Sequence, residues 1–142
     1  MSDTDVLIKR SGLRNTKQRK AILDIIRISE LPVTAEDVYL ELKKQHIPVN
    51  LSTVYRTMET MSECMLIKKL RFLGEEKTFF EYFKAMHRHY LVCLRCKKIL
   101  PISGCPLKSY EKTLEEKTDY SISGHRLDIY GYCPQCKETD NI

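Results

Sequence analysis

Two CxxC pairs carry the strongest chemical signal in the sequence: Cys93-Leu-Arg-Cys96 and Cys133-Pro-Gln-Cys136. Each pair can turn two thiolates toward one ion from a single tight turn. Two such pairs make a closed tetrahedral four-cysteine site, the pattern of structural zinc. A closed site leaves no position for a substrate, so its role is structural rather than catalytic. A redox CxxC or a disulfide explains one pair, but not two knuckles together. The stretch between the knuckles, residues 97–132, has room for a helix or strands, so the zinc would staple the two ends of a subdomain.

A second constellation lies beside the first. His87 and His89 sit at alternate positions ahead of the first knuckle, and on a strand both imidazoles point to one face. Cys105 precedes Pro106, which suits the first position of a helix. His125 lies in a stretch that reads as strand. The chain has only four His, and three fall in this half. Three imidazoles and one thiolate make a good zinc site, so His87, His89, Cys105 and His125 form the candidate regulatory set. Glu81, in Phe79-Phe80-Glu81-Tyr82, is a further candidate oxygen ligand. Cys64, beside the apolar positions of a helix, reads as a small buried hydrophobe.

These residues need elements to hold them. Val6, Leu7 and Ile8 make a short apolar turn. Thr16 reads as the N-cap of a helix carrying Ala21, Ile22, Ile25 and Ile26 at helical spacing, broken by Leu31-Pro32. Thr34-Ala-Glu-Asp37 resembles a capping box and opens a second helix, with Val38, Tyr39 and Leu42 inward. Ser52 is expected to cap a third, with Val54, Met58 and Met61 in the core. Residues 66–72 and 78–82 then form a β-hairpin around Gly74-Glu75-Glu76. Three helices and a hairpin make a winged helix-turn-helix, whose third helix enters the major groove. Its exposed face would present Ser52, Thr53, Tyr55, Arg56 and Glu59. Hydroxyls and guanidinium suit phosphate, and Tyr55 and Arg56 can also reach base edges.

Residues 84–142 read as strands around 88–93 and 98–102, a helix over 106–117 and a strand over 120–130. The fold class is therefore α+β: a winged-helix domain over 1–83 and a zinc-stapled α/β dimerisation domain over 84–142. The apolar pattern of the second half exceeds what about sixty residues can cover alone, so a homodimer is expected.

Composition sets the bounds. The chain has 142 residues, 42% hydrophobic and 30% charged, with a net charge of +5. It is too short for a (β/α)₈ barrel, and no apolar window suits a membrane helix. The first residues, Met1-Ser2-Asp3-Thr4-Asp5, are polar and acidic, unlike a secretory signal. The expected location is thus the reducing cytoplasm, where thiolates hold zinc. Lys9, Arg10, Arg14, Lys17, Arg19 and Lys20 fall in a stretch without acids, which can be a phosphate-binding patch or a solvated helix face.

Taken in order, these motifs resemble the ferric uptake regulator family of bacterial metal-responsive repressors. The carriers are Arg14-Asn-Thr-Lys17-Gln-Arg19, Thr34-Ala-Glu-Asp37-Val-Tyr39 and Ser52-Thr-Val-Tyr55-Arg56. In the second half they are His87-Arg-His89 running into the first knuckle, and Ser123-Gly-His125-Arg-Leu-Asp-Ile-Tyr130-Gly-Tyr-Cys133 with Cys136. The resemblance implies a winged helix hinged to a dimerisation domain, and a dimer that binds a double-stranded, palindromic, AT-rich operator when loaded with metal. It implies a structural zinc at Cys93, Cys96, Cys133 and Cys136, and a site at His87, His89 and His125. The usual acid of that site falls at Lys108, so Cys105 is taken as its substitute. At the family's hinge site only Glu81 matches, while the other positions hold Pro32, Arg88, Tyr90 and Pro101.

A thiolate with imidazoles and few carboxylates favours zinc over iron. The Cys105-Pro106 step also resembles the zinc-uptake branch of the family, which implies zinc as both structural and regulatory metal. Iron- or peroxide-responsive regulation, and DNA binding independent of metal, are the competing readings. An enzyme is not expected: a zinc hydrolase needs an open metal position and a general base, and there is no HExxH.

Overall fold

The computed structural model describes residues 2–83 and 88–140. His87 lies outside the described residues. The chain divides into two compact units, Met1–Arg71 with Glu75–Ala85, and Phe72–Gly74 with Met86–Ile142.

Unit 1 contains four helices and a hairpin: α1 (Asp3–Arg10), α2 (Lys17–Ile28), α3 (Ala35–Lys44), α4 (Leu51–Glu63), β1 (Ile67–Leu70) and β2 (Phe79–Tyr82). The expected apolar turn around Leu7 is a full helix. Ser2 and Asp5 cap it reciprocally, and Thr4 beneath it bonds Asp24 while accepting from Arg27 at 2.7 Å. Thr16 caps α2 by accepting the Arg19 N–H, and Thr34 and Asp37 form a complete capping box on α3. The cap of α4 differs from the expectation. Asn50, not Ser52, accepts the Thr53 N–H, at 2.8 Å, because the helix begins at Leu51 and Ser52 already lies inside its first turn.

The spacing of apolar residues turns α2, α3 and α4 onto one core. Ile22, Leu23, Val38, Leu42, Val54, Met58, Met61 and Phe80 are fully buried there. Tyr39 is only partly buried against it. Strands β1 and β2 pair antiparallel, Ile67 opposite Tyr82 and Leu70 opposite Phe79. Val33 extends them by exchanging two backbone bonds with Phe80. Lys69 of β1 pairs with Glu59 of α4, which holds the hairpin to the helix it flanks.

Unit 2 is built on a three-stranded sheet of β3 (His89–Cys93), β4 (Ile99–Ile102) and β5 (Asp128–Gly131), in the order β4-β3-β5. β3 runs antiparallel to β4 and parallel to β5. Two helices complete it, α5 (Lys108–Thr118) and α6 (Pro134–Asp140). α5 starts later than expected, and Cys105 and Pro106 lie in the loop before it. The strand expected over 120–130 shortens to β5. Asp119 ends α5 in the left-handed region, φ 60°, and the Ile122 N–H donates to Glu115 Oε2 at 3.1 Å instead of joining a ladder. α6 is an addition, opening at Pro134 inside the second knuckle.

The segment Phe72–Gly74 of the hairpin loop belongs to this unit. The Phe72 ring meets Tyr90 edge-on at 5.9 Å, the Arg126 guanidinium lies over it, and the Leu73 N–H donates to the Tyr130 hydroxyl at 2.8 Å. Gly74, at φ 74°, turns the chain back. Among the described residues, no helix is long and apolar enough to cross a membrane.

Candidate metal centres and nucleic-acid face

The first knuckle is the turn after β3. Lys97, in the left-handed region, donates its N–H to the Cys93 carbonyl at 3.0 Å and closes it. Because β5 runs parallel to β3 with Gly131 opposite Cys93, the second knuckle emerges beside the first. The Sγ atoms of Cys93, Cys96, Cys133 and Cys136 all lie within 4.8 Å of one another. Zinc–sulfur bonds of about 2.3 Å in a tetrahedron place sulfurs roughly 3.8 Å apart. Cys96 and Cys133 Sγ are 3.7 Å apart, so the donor set fits zinc.

The local backbone prepares these thiols for a cation. Cys93 Sγ accepts the N–H of Cys133 at 3.4 Å and that of Cys96 at 3.5 Å. These bonds hold its thiol well below the ordinary range, at about 5. The Cys133 thiol is also lowered, first by the Cys136 N–H. Cys136 is pushed up to about 12, because its proton is shared with Cys133 and its site is buried.

A second cluster assembles from three separate segments. His89 opens β3, Cys105 lies in the loop before α5, and His125 lies in the loop before β5. Cys105 Sγ is 3.3 Å from Nε2 of each histidine, and the two Nε2 atoms are 3.1 Å apart. His89 is 1% exposed; Cys105 and His125 are half-buried. Three donor atoms converging in a partly shielded site suit a borderline-soft divalent ion. Reading the sequence missed Glu111, on the first turns of α5, whose carboxylate meets Nδ1 of His125. Its signal was only an acid on a helix one turn beyond Lys108.

Glu81 is half-buried in β2 opposite Lys68 and belongs to neither donor cluster. Cys64, expected in the core, is half-buried and caps the end of α4. Arg14, Lys17, Ser52, Tyr55 and Arg56 are exposed, while Thr53, Arg19 and Glu59 are half-buried. The Arg19 guanidinium donates to the Arg14 carbonyl at 2.9 Å. Gln18 donates to the Pro48 carbonyl, also at 2.9 Å, tying the basic start of α2 to the loop that leads into α4. The start of α2 and the loop ahead of α4 thus meet in unit 1.

A winged-helix unit and a sheet unit bearing two clusters of metal donors, in one chain, define a metal-responsive transcriptional regulator. The chain belongs to the Ferric uptake regulator family, whose pattern matches residues 10–130. It is 32% identical to the peroxide operon regulator of Bacillus subtilis over 134 residues, 94% of this chain and 91% of that one. It is 29% identical to the peroxide-responsive repressor of Staphylococcus epidermidis, over 94% of this chain and 88% of that one. Among solved structures, it is similar to the ferric uptake regulator of Vibrio cholerae with a TM-score of 0.80 and 28% identity, covering 92% of this chain and all of that one. The family's members are transcription regulators rather than enzymes.

Proposed function

We propose that this chain is a zinc-responsive repressor of metal-uptake genes, of the zinc-uptake branch of its family, acting as a cytoplasmic homodimer. The observation that carries the reading is the convergence of Cys105 with Nε2 of His89 and His125. One thiolate and two imidazoles make a set that favours zinc over the oxygen-seeking metals. His87, two positions before His89, is assigned as the fourth donor. When bound, zinc supplies a fixed node at these donors and at the four cysteines. The three segments that carry His89, Cys105 and His125 are then held in one arrangement. DNA affinity follows insofar as that arrangement differs from the metal-free one.

Arg14, Lys17, Arg19, Ser52, Thr53, Tyr55 and Arg56 are assigned to the operator, with Arg and Lys on phosphates and the start of α4 at base edges. The operator is expected to be palindromic, because two copies bind it. Support for the dimer comes from the sheet. Leu100, Leu91 and Ile129 stand in register across its three strands, 52%, 38% and 44% exposed, and α5 buries none of its residues. An apolar row of this kind is stabilised when a second copy covers it.

The names of the Bacillus and Staphylococcus relatives favour a second reading, a peroxide-responsive repressor. Metal titration separates the two. Duplexes selected in vitro by the metal-loaded protein are assayed with zinc, iron(II) and manganese(II) under reducing conditions. The zinc reading expects tight binding with zinc at low free concentration. Binding switched on by iron(II) and abolished by hydrogen peroxide would replace it with the second reading.

A further inference from the structure

We infer that Glu111 is a positioning residue for His125: it holds the imidazole by Nδ1 so that Nε2 stays aimed at Cys105 and His89. The inference rests on the proposed metal role of that cluster and adds to it a residue that donates nothing to the metal itself.

The geometry divides the two nitrogens of His125 cleanly. Nε2 faces the cluster, 3.3 Å from Cys105 Sγ and 3.1 Å from His89 Nε2. Nδ1 faces away from it and meets the Glu111 carboxylate. Glu111 is not among the donors that converge, which are His89, Cys105 and His125. A neutral imidazole can offer a lone pair from one nitrogen only, and the other then carries the proton. A carboxylate accepting the Nδ1–H selects the form in which Nε2 offers the lone pair and fixes the ring's orientation.

His125 has particular need of such a partner. His89 is fixed by the sheet, but His125 lies in a loop. The two rings are stacked, 4.9 Å between centroids, and stacking alone leaves a ring free to flip about its long axis. α5 supplies the restraint from one face: Glu115, four residues along, accepts the Ile122 N–H at 3.1 Å and pins the loop's backbone. Glu115 therefore sets where the loop lies, and Glu111 sets which nitrogen of its histidine looks into the site.

The test uses the full chain with its four-cysteine zinc in place, and reads the second equivalent of metal by chelator competition with zinc and by cobalt(II) absorption. Glu111→Gln is expected to weaken that equivalent by about 10- to 100-fold, with the cobalt band shape kept because no ligand is lost. Glu111→Asp should recover part of the loss, and Glu115→Ala, which frees the loop's backbone but keeps the contact on Nδ1, should cost less than Glu111→Gln. Wild-type affinity in Glu111→Gln would overturn the inference. So would a changed cobalt band, which makes Glu111 a ligand, or an equal loss in Glu115→Ala, which makes loop anchoring the cause. If His125→Ala and Cys105→Ser still take up the second equivalent as the wild type does, the metal reading of the cluster falls, and this inference with it.

Discussion

His89 and His125, thirty-six positions apart, present their Nε2 atoms 3.1 Å from each other. Two imidazoles held this way gain little without a shared partner, because each takes the other's solvation. Cys105 lies against both, and Glu111 and the sheet hold the rings from behind. The site is thus a preformed set of donors, with much of its ordering cost met by the fold before metal arrives.

The four-cysteine cluster joins the end of β3 to the end of β5, so zinc held there should support the fold of unit 2. Cys136→Ser should lower the bound zinc by one per chain. Thermal unfolding should fall by roughly 10 °C or more, since losing a structural zinc costs several kcal/mol. Zinc quantification beside a melting curve checks both. An unchanged melting temperature with one zinc lost would show that the knuckles do not support the sheet.

Arg56 and Tyr55 sit side by side on the exposed face of α4, and their substitutions should separate. Arg56→Ala should weaken binding to all duplexes by a similar factor and reduce the slope of affinity against salt by about 1, the signature of a lost phosphate contact. Tyr55→Ala should relax preference among sequences. Fluorescence anisotropy on matched and mismatched duplexes at several salt concentrations distinguishes the two.

The row Leu100, Leu91, Ile129 crosses the sheet at the proposed dimer surface. Leu100→Glu, at a half-exposed edge-strand position, should leave the chain folded but monomeric, because each dimer would bury two carboxylates in apolar surroundings. Sedimentation velocity reads the outcome. A dimer as stable as the wild type would remove this face from the interface.

Asp5 should make unit 1 acid-sensitive. Its carboxyl is held far below the usual carboxylate range, first by the Asn15 amide at 2.7 Å, then by Ser2, with Lys20 adding a smaller charge effect. A lowered folded pKa means stabilisation that is complete above the unfolded value, about 3.9, and fades as pH falls below it. Asp5→Asn should therefore melt earlier than the wild type at pH 7, and the gap should shrink on going to pH 3. A gap that stays constant with pH would leave the lowered pKa without a role in stability.

Much of this was legible in the sequence for a simple reason. Thiols, imidazoles and helix caps act through residue type and short spacing, so both knuckles and the residues Thr16 and Thr34 announce themselves. What was not legible depends on competition within a few residues or on tertiary placement. Asn50 and Ser52 both suit a cap, and only the turn's geometry chooses between them. Alternating residues after Tyr120 read as strand, yet Glu115 captures the Ile122 N–H that a ladder would need. Glu111 stayed hidden because its partner, His125, is fourteen positions away across a loop whose path the sequence does not state. The grouping of Phe72–Gly74 with unit 2 was equally invisible, since it rests on Tyr90, Arg126 and Tyr130, all remote in sequence.

The most direct test of the account is DNA binding by the protein with its four-cysteine zinc intact, titrated with zinc, iron(II) and manganese(II). Zinc alone, at low free concentration, should switch binding on, and Cys105→Ser or His125→Ala should abolish the switch. Equally tight binding without added metal, or a switch that survives both substitutions, would contradict it.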